Sequence, residues 1–156
     1  MNRKGYIVCV ENEPKVLSAL KNQLLESFSS THEVETAENA VKAIEVVEDL
    51  IEKNNIIEMV ITDQRLPHMT GNEFLVKVHD QLPETIKILI GEHDDIEDAK
   101  ISPDNKIISK YIERPWDKQH LKESIAQLID RFHQKLENTY MINNLEIRAG
   151  EIQKEK

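Results

Sequence analysis

The residues best placed to do chemistry lie in one stretch, Val60-Ile61-Thr62-Asp63-Gln64-Arg65-Leu66-Pro67-His68-Met69-Thr70-Gly71. An apolar strand ends on Asp63, and a turn carrying Pro67 and Gly71 follows at once. Asp63 therefore sits at the carboxyl end of a strand, on the edge where open α/β sheets bind their ligands. An acid there is a metal ligand, a nucleophile or a helix cap. Two other strand ends supply partners. Glu11, Asn12 and Glu13 follow the first strand, and Arg114 follows the fifth, just before Pro115. Acids with amide and carbonyl oxygens make a hard-cation site, for which Mg2+ is the natural guest. A carboxylate beside Mg2+ can attack phosphorus. A cation on a neighbouring strand end would then pair with the new phosphoryl group.

The elements that must hold these residues alternate strand and helix. Tyr6 to Val10 is a continuous apolar run, as expected for a strand buried on both faces. Glu13-Pro14 opens a helix whose stripe is Val16, Leu17, Leu20, Leu24 and Leu25. Glu33 to Ala37 reads as the second strand and Ala40 to Ile51 as the second helix. Met59 to Thr62 is the third strand, ending at Asp63, and Asn72 to His79 the third helix. Thr85 to Ile90 and Lys110 to Glu113 are the fourth and fifth strands. Between Asp95 and Ile107, Pro103 with Asp104-Asn105 breaks the fourth helix, which is expected to be short and followed by a loop. A long helix begins near Asp117. Five strands alternating with helices predict a parallel sheet covered on both faces. Ile125, Leu128, Ile129, Phe132 and Leu136 keep helical spacing, with Tyr140, Met141, Leu145, Ala149 and Ile152 more loosely spaced beyond them. Residues 1–130 read as the domain and 131–156 as a helical extension, or a linker to an output domain outside this sequence. Self-pairing of that helix and a frayed tail are both open, since the heptad is irregular.

The chain has 156 residues, 20 Lys plus Arg, 29 Asp plus Glu, and a net charge of -9. That balance argues against binding nucleic acid or an anionic membrane through bulk charge. Cys9 is the only cysteine and lies in an apolar run, so it reads as a small buried hydrophobe in a reducing compartment. No apolar run approaches the ~18 residues of a membrane span, and the start lacks a signal-peptide pattern, so a cytoplasmic protein is expected.

From about Tyr6 to about Asp130 the chain resembles a receiver domain of two-component response regulators. Val10-Glu11-Asn12-Glu13-Pro14 matches the family's acidic stretch after the first strand, and Asp63 matches its phosphoacceptor, with Pro67, Met69 and Gly71 in the following turn. Arg114-Pro115-Trp116-Asp117 matches its Lys-Pro segment. The resemblance implies a flavodoxin-like fold with sheet order 2-1-3-4-5. It implies phosphoryl transfer to Asp63 from a histidine kinase or phosphotransfer protein. It also implies Mg2+ held by Glu11, Asn12, Asp63 and the Arg65 backbone carbonyl, with Arg114 steadying the phosphate. Tyr111 matches the switch aromatic. It would report to the face of the fourth helix, fifth strand and fifth helix, where a change of partner or self-association would follow.

Four positions depart from that pattern. Glu11 and Asn12 stand where the family has two aspartates, Gly91 where it has Ser or Thr, and Arg114 where it has Lys. The longer Glu11 and the lost charge at Asn12 should weaken Mg2+ binding. Gly91 has no hydroxyl for a phosphoryl group, and the planar guanidinium of Arg114 is no steric match for an ammonium. A working phosphoswitch and a phosphorylation-independent interaction module both fit these residues. A third reading, an aspartate-based phosphatase, lacks the Asp-x-Asp signature because Gln64 and Arg65 follow Asp63. Any catalysis would then be the domain's own phosphoryl transfer. His93-Asp94 resembles a metal-binding pair but is expected to be solvated loop, as is His68. Gly71 is expected to be a turn residue, and Trp116 to pack at a rim or anchor a partner.

Overall fold

A computed structural model describes residues 4–154, with side chains described as far as residue 143. The strands are β1 (Gly5–Val10), β2 (His32–Ala37), β3 (Ile57–Asp63), β4 (Ile86–Gly91) and β5 (Lys110–Glu113). The helices are α1 (Pro14–Phe28), α2 (Ala40–Glu52), α3 (Gly71–Gln81), α4 (His93–Lys100) and α5 (Lys118–Lys154). All strand pairs are parallel, in the order β2-β1-β3-β4-β5. This is the flavodoxin-like order that the resemblance implies. The order reverses between β1 and β3, so the crevice at their carboxyl ends is the switch point of the sheet.

Alternation along the strands divides the core in two. Val8, Val60 and Leu89 face α2, α3 and α4. Ile7, Cys9, Ile61 and Ile88 face α1 and α5. Both faces are covered, which explains why β3 and β4 are buried at every residue.

Local chemistry sets the helix ends. Pro14 starts α1 after an extended Glu13 that makes no side-chain cap bond. Asn39 caps α2 by accepting from the Lys42 N–H, and Thr70 caps α3 by accepting from the Glu73 N–H. The break expected at Pro103 is present: α4 ends at Lys100 and Pro103–Ile107 forms a 3-10 turn in place of an open loop. Ser102 caps that turn through the Asp104 N–H.

One expectation is overturned. His93 and Asp94 are not loop residues but the first two of α4, because extended Glu92 serves as its N-cap. His93 Nδ1 lies 2.8 Å from Glu113 Oε1, tying α4 to β5 at the surface. α5 runs unbroken for 37 residues, about 55 Å at helical rise. Phe132 is its last buried position among the side chains described, and residues 133–143 are exposed. Among the described residues no helix is long and apolar enough to cross a membrane.

Candidate functional site

Asp63 is the last residue of β3, and its side chain is nearly sealed at 5 % exposure. It caps no helix, since the N-cap of α3 is Thr70. The chain after it is pinned in place. The Gln64 N–H donates to the Ile90 carbonyl (2.8 Å), and Gln64 Oε1 accepts from the Asn72 N–H (2.8 Å). The Gly71 N–H donates to the Gln64 carbonyl (3.0 Å). Gly71 does open α3 after the turn, but it needs no positive φ. It is required by contact instead: a Cβ there would fall 2.2 Å from the Asp63 carbonyl oxygen. His68 is exposed, as expected, and takes a left-handed φ of 69°.

Three strand ends meet at the acid. Glu11 follows β1 and is 4 % exposed. Its Oε1 accepts from the Glu13 N–H (3.1 Å), and its Oε2 takes a short ion pair from Arg114 Nη2. The same Nη2 lies 3.0 Å from Asp63 Oδ1. That pair is close in charge but poorly aligned, so Oδ1 is buried without a hydrogen-bond donor among the described residues. Asp63 Oδ2 accepts from the Arg65 N–H (3.0 Å). Arg114 itself is fixed by its N–H on the Gly91 carbonyl (2.9 Å) and precedes a cis bond to Pro115.

The electrostatics follow from this geometry. Burial pushes the Asp63 carboxyl up to about 6, the Glu11 carboxylate adds to the rise, and Arg114 and the Arg65 N–H oppose it. Burial works against the Arg114 charge, but the hydrogen bond it donates to Glu11 and the Asp63 charge hold its pKa above the ordinary value.

The other sequence-derived residues fall at varied distances from this centre. Asn12 is exposed. Arg65 reaches the acid by its backbone N–H, while its side chain leaves the site and its Nε donates to Asp95 Oδ2 on α4 (2.8 Å). Gly91 ends β4 beside Gln64 and Asp95. Tyr111 is half-buried, its hydroxyl has no partner among the described residues, and the Lys100 ammonium lies 5.8 Å from its ring centroid. Trp116 packs at the rim with its Nε1–H on Gln23 Oε1 (2.9 Å). Cys9 is fully buried, and burial raises its thiol to about 12, far from a reactive thiolate.

A divalent cation meets a mixed reception here. Two buried carboxylates and the donor-free Oδ1 of Asp63 suit a hard cation. The guanidinium of Arg114 competes for the same oxygens. Glu11 and Asp63 are the residues that would hold the ion, and Arg114 would have to release at least one of them. No sequence pattern foretold that bridge, because it depends on how the Glu11 and Arg114 side chains extend toward one another.

Comparison with known proteins places the fold. The family model described as response regulator receiver domain matches residues 7–126. The hydrogenase transcriptional regulatory protein HoxA of Bradyrhizobium diazoefficiens is 27 % identical over 154 residues, covering 99 % of this chain and 30 % of the relative. The chain thus spans about a third of that relative's length. A response regulator receiver domain protein from Clostridium thermocellum has a TM-score of 0.71 at 25 % identity, covering 85 % of this chain and 98 % of the other. The response regulator TrrA of Thermotoga maritima, solved in complex with Mg2+-BeF, gives 0.65 at 22 % identity, covering 80 % and 98 %. That last likeness speaks to fold alone.

Proposed function

The chain belongs to the response regulator receiver domain family, and on that footing we propose that it accepts a phosphoryl group on Asp63 with the help of Mg2+. The observation that carries the reading is the junction of Glu11, Asp63 and Arg114, with one oxygen of the nucleophile buried and free of donors. In the reaction, a carboxylate oxygen of Asp63 attacks the phosphorus of a phosphohistidine on a kinase or phosphotransfer protein. The P–N bond breaks and the imidazole leaves, taking up a proton. Mg2+ bound by Glu11, Asp63, the Arg65 carbonyl and Asn12 would offset charge on the phosphoryl oxygens. Arg114 would leave Glu11 and pair with the new anion, since a guanidinium prefers a dianionic phosphoryl group to one carboxylate.

The remaining roles belong to the same proposal. A groove of about 470 Å3 between α1 and Pro115-Trp116 reaches Arg114 and offers the phosphodonor a place to dock. Tyr111 and α4 form the reporting face, and α5 carries the signal toward a second copy or a further partner. No direct contact with nucleic acid is required. HoxA is a transcriptional regulatory protein, so control of gene expression through what α5 engages is the proposed downstream role, in the cytoplasm where such kinases present their phosphohistidine. Catalysis is confined to the domain's own phosphorylation and dephosphorylation.

A second reading, a receiver fold kept only for binding, is favoured by the bare Gly91, the idle Tyr111 hydroxyl and an arginine that already pairs with both acids. One experiment separates them. The protein is incubated with Mg2+ and acetyl phosphate, and its intact mass is compared with that of Asp63→Asn. A phosphoryl adduct on wild type alone supports the switch. No adduct, either there or with a phosphorylated histidine donor, supports the binding module. Continuous turnover of an aryl phosphate that Asp63→Asn abolishes would instead make the protein a phosphatase.

A further inference from the structure

Far from Asp63, at the amino ends of the strands, a second cluster stands apart from the receiver chemistry. His32 opens β2, Glu58 is the second residue of β3, and His133 comes from α5. His32 and Glu58 are buried at 4 % and 5 % exposure. His32 Nε2 lies 3.0 Å and His133 Nε2 2.8 Å from the same oxygen, Glu58 Oε1. One ligand atom from each of the three residues falls within 4.8 Å of the others. Glu58 lies five residue steps before Asp63 along β3, about 16 Å at strand rise.

We propose that His32, Glu58 and His133 form a binding site for a zinc-type divalent transition-metal ion that fastens α5 to the sheet. Two imidazoles and one carboxylate are a ligand set for Zn2+, which takes three protein ligands and leaves a fourth position open. The surroundings are built for it. The Thr31 hydroxyl sits 2.8 Å from His32 Nδ1, which directs Nε2 toward Glu58 in the manner of an outer-shell partner. Phe28 and Phe132 hold the two histidine rings edge to face. Gly5 leaves room for the carboxylate, because a Cβ there would lie 2.0 Å from Glu58 Oε2. A cavity of about 200 Å3, lined by Gly5, Glu58, His133 and Leu136 among others, gives entry and space for water at the open position. Lys4 at its rim is engaged by the Ser29 carbonyl (2.9 Å) and Glu33 (3.6 Å).

The test is calorimetric titration of the chain with ZnCl2, with thermal unfolding alongside. One ion per chain is expected, with a Tm that rises as Zn2+ is added. His133→Ala, on an exposed helix surface and so no threat to folding, should weaken binding by more than about 10-fold, and Thr31→Val by about 10-fold through the ring it orients. His93→Ala must leave binding intact, because His93, Glu97 and Glu113 form a second, exposed trio that could bind Zn2+ adventitiously. Absence of heat and of a Tm shift at about 100 μM Zn2+ would reduce the cluster to a hydrogen-bonded triad and overturn the site. So would binding that survives His133→Ala or disappears in His93→Ala. Asp63→Asn, with the acid site disabled, should bind Zn2+ as wild type does, which keeps the result independent of the phosphorylation reading.

Discussion

Single side chains decide how well the acid site works, and two glycines make the point from opposite directions. At Gly91 a Cβ would meet its nearest neighbours, Gln64 Cβ and Asp95 Cβ, at 3.4 and 3.5 Å, which is ordinary contact. Gly91→Ser is therefore accommodated and brings a hydroxyl to the end of β4 next to Asp63. Its stability should stay within about 1 kcal/mol of wild type, while the yield of phosphoryl adduct from acetyl phosphate rises. An unchanged yield with unchanged folding would show that the hydroxyl missing at Gly91 does not limit adduct formation. At Gly71 the neighbour is backbone, the Asp63 carbonyl 2.2 Å from the added carbon. Gly71→Ala must shift α3 away from the acid, with an expected loss of about 2 kcal/mol or more in urea unfolding. A third change tests the bridge. Arg114→Gln frees both carboxylates from their cation, so Mg2+ should bind more tightly, read by the fluorescence of Trp116 two residues away, while the phosphorylated form loses its partner. Weaker Mg2+ binding in this variant would mean that Arg114 and the ion do not compete.

At the scale of the strands, β4 holds a charge that its sequence concealed. Thr85 to Ile90 reads as nearly continuous apolar residues, yet it contains Lys87, which is 1 % exposed. The chain tolerates it because the stem lies in the core while the ammonium donates to the carbonyls of Thr85 (2.7 Å), Leu82 (3.0 Å) and Pro83 (3.4 Å). Burial still pulls its pKa down to about 8 from 10.5. Between those two values the unfolded chain binds more protons than the folded one, so this lysine's contribution to stability rises with pH. Cys9 acts the opposite way above 9, where its unfolded thiol ionises and its buried one does not. Relative to Lys87→Met, wild type should therefore gain about 1 kcal/mol between pH 7 and pH 9, measured by urea unfolding at each pH. A flat difference would show that Lys87 is not desolvated. The same contrast explains what was legible in the chain. The strand order rests on the resemblance to receiver domains, whereas the five parallel strands, the two-faced core and the strand ends that carry Glu11, Asp63 and Arg114 follow from periodicity and from where apolar runs stop. The His32, Glu58 and His133 cluster does not, because its members lie 26 and 75 residues apart with no spacing that marks them. His93 misled for a related reason: an α4 of only eight residues carries too few apolar positions to announce its start.

The whole molecule is a sheet domain from which one helix departs. α5 packs against α1 and the sheet through Leu121, Ile125, Ile129 and Phe132. Beyond that point its described residues are exposed, and four of them are large and apolar: Leu136, Tyr140, Met141 and Ile142. Leu136 and Tyr140 are one turn apart on one face, with Met141 about 100° round the helix from Tyr140, apolar surface that a lone domain would leave in water. A second copy meeting it along the same helix would cover this surface symmetrically on both chains, as a two-fold contact requires. The acid site lies at the opposite end of the strands from His133, so the contact can form without touching Asp63. We expect the chain to sediment as a dimer at about 50 μM, and Tyr140→Glu with Met141→Glu to weaken that dimer more than about 10-fold, since two charges at a buried contact cost several kcal/mol. The doubly substituted protein should still take a phosphoryl group on Asp63 as wild type does. If wild type remains a monomer at ten times that concentration, with and without the phosphoryl group, the exposed stretch of α5 meets a different partner, and the output of this receiver does not run through self-association.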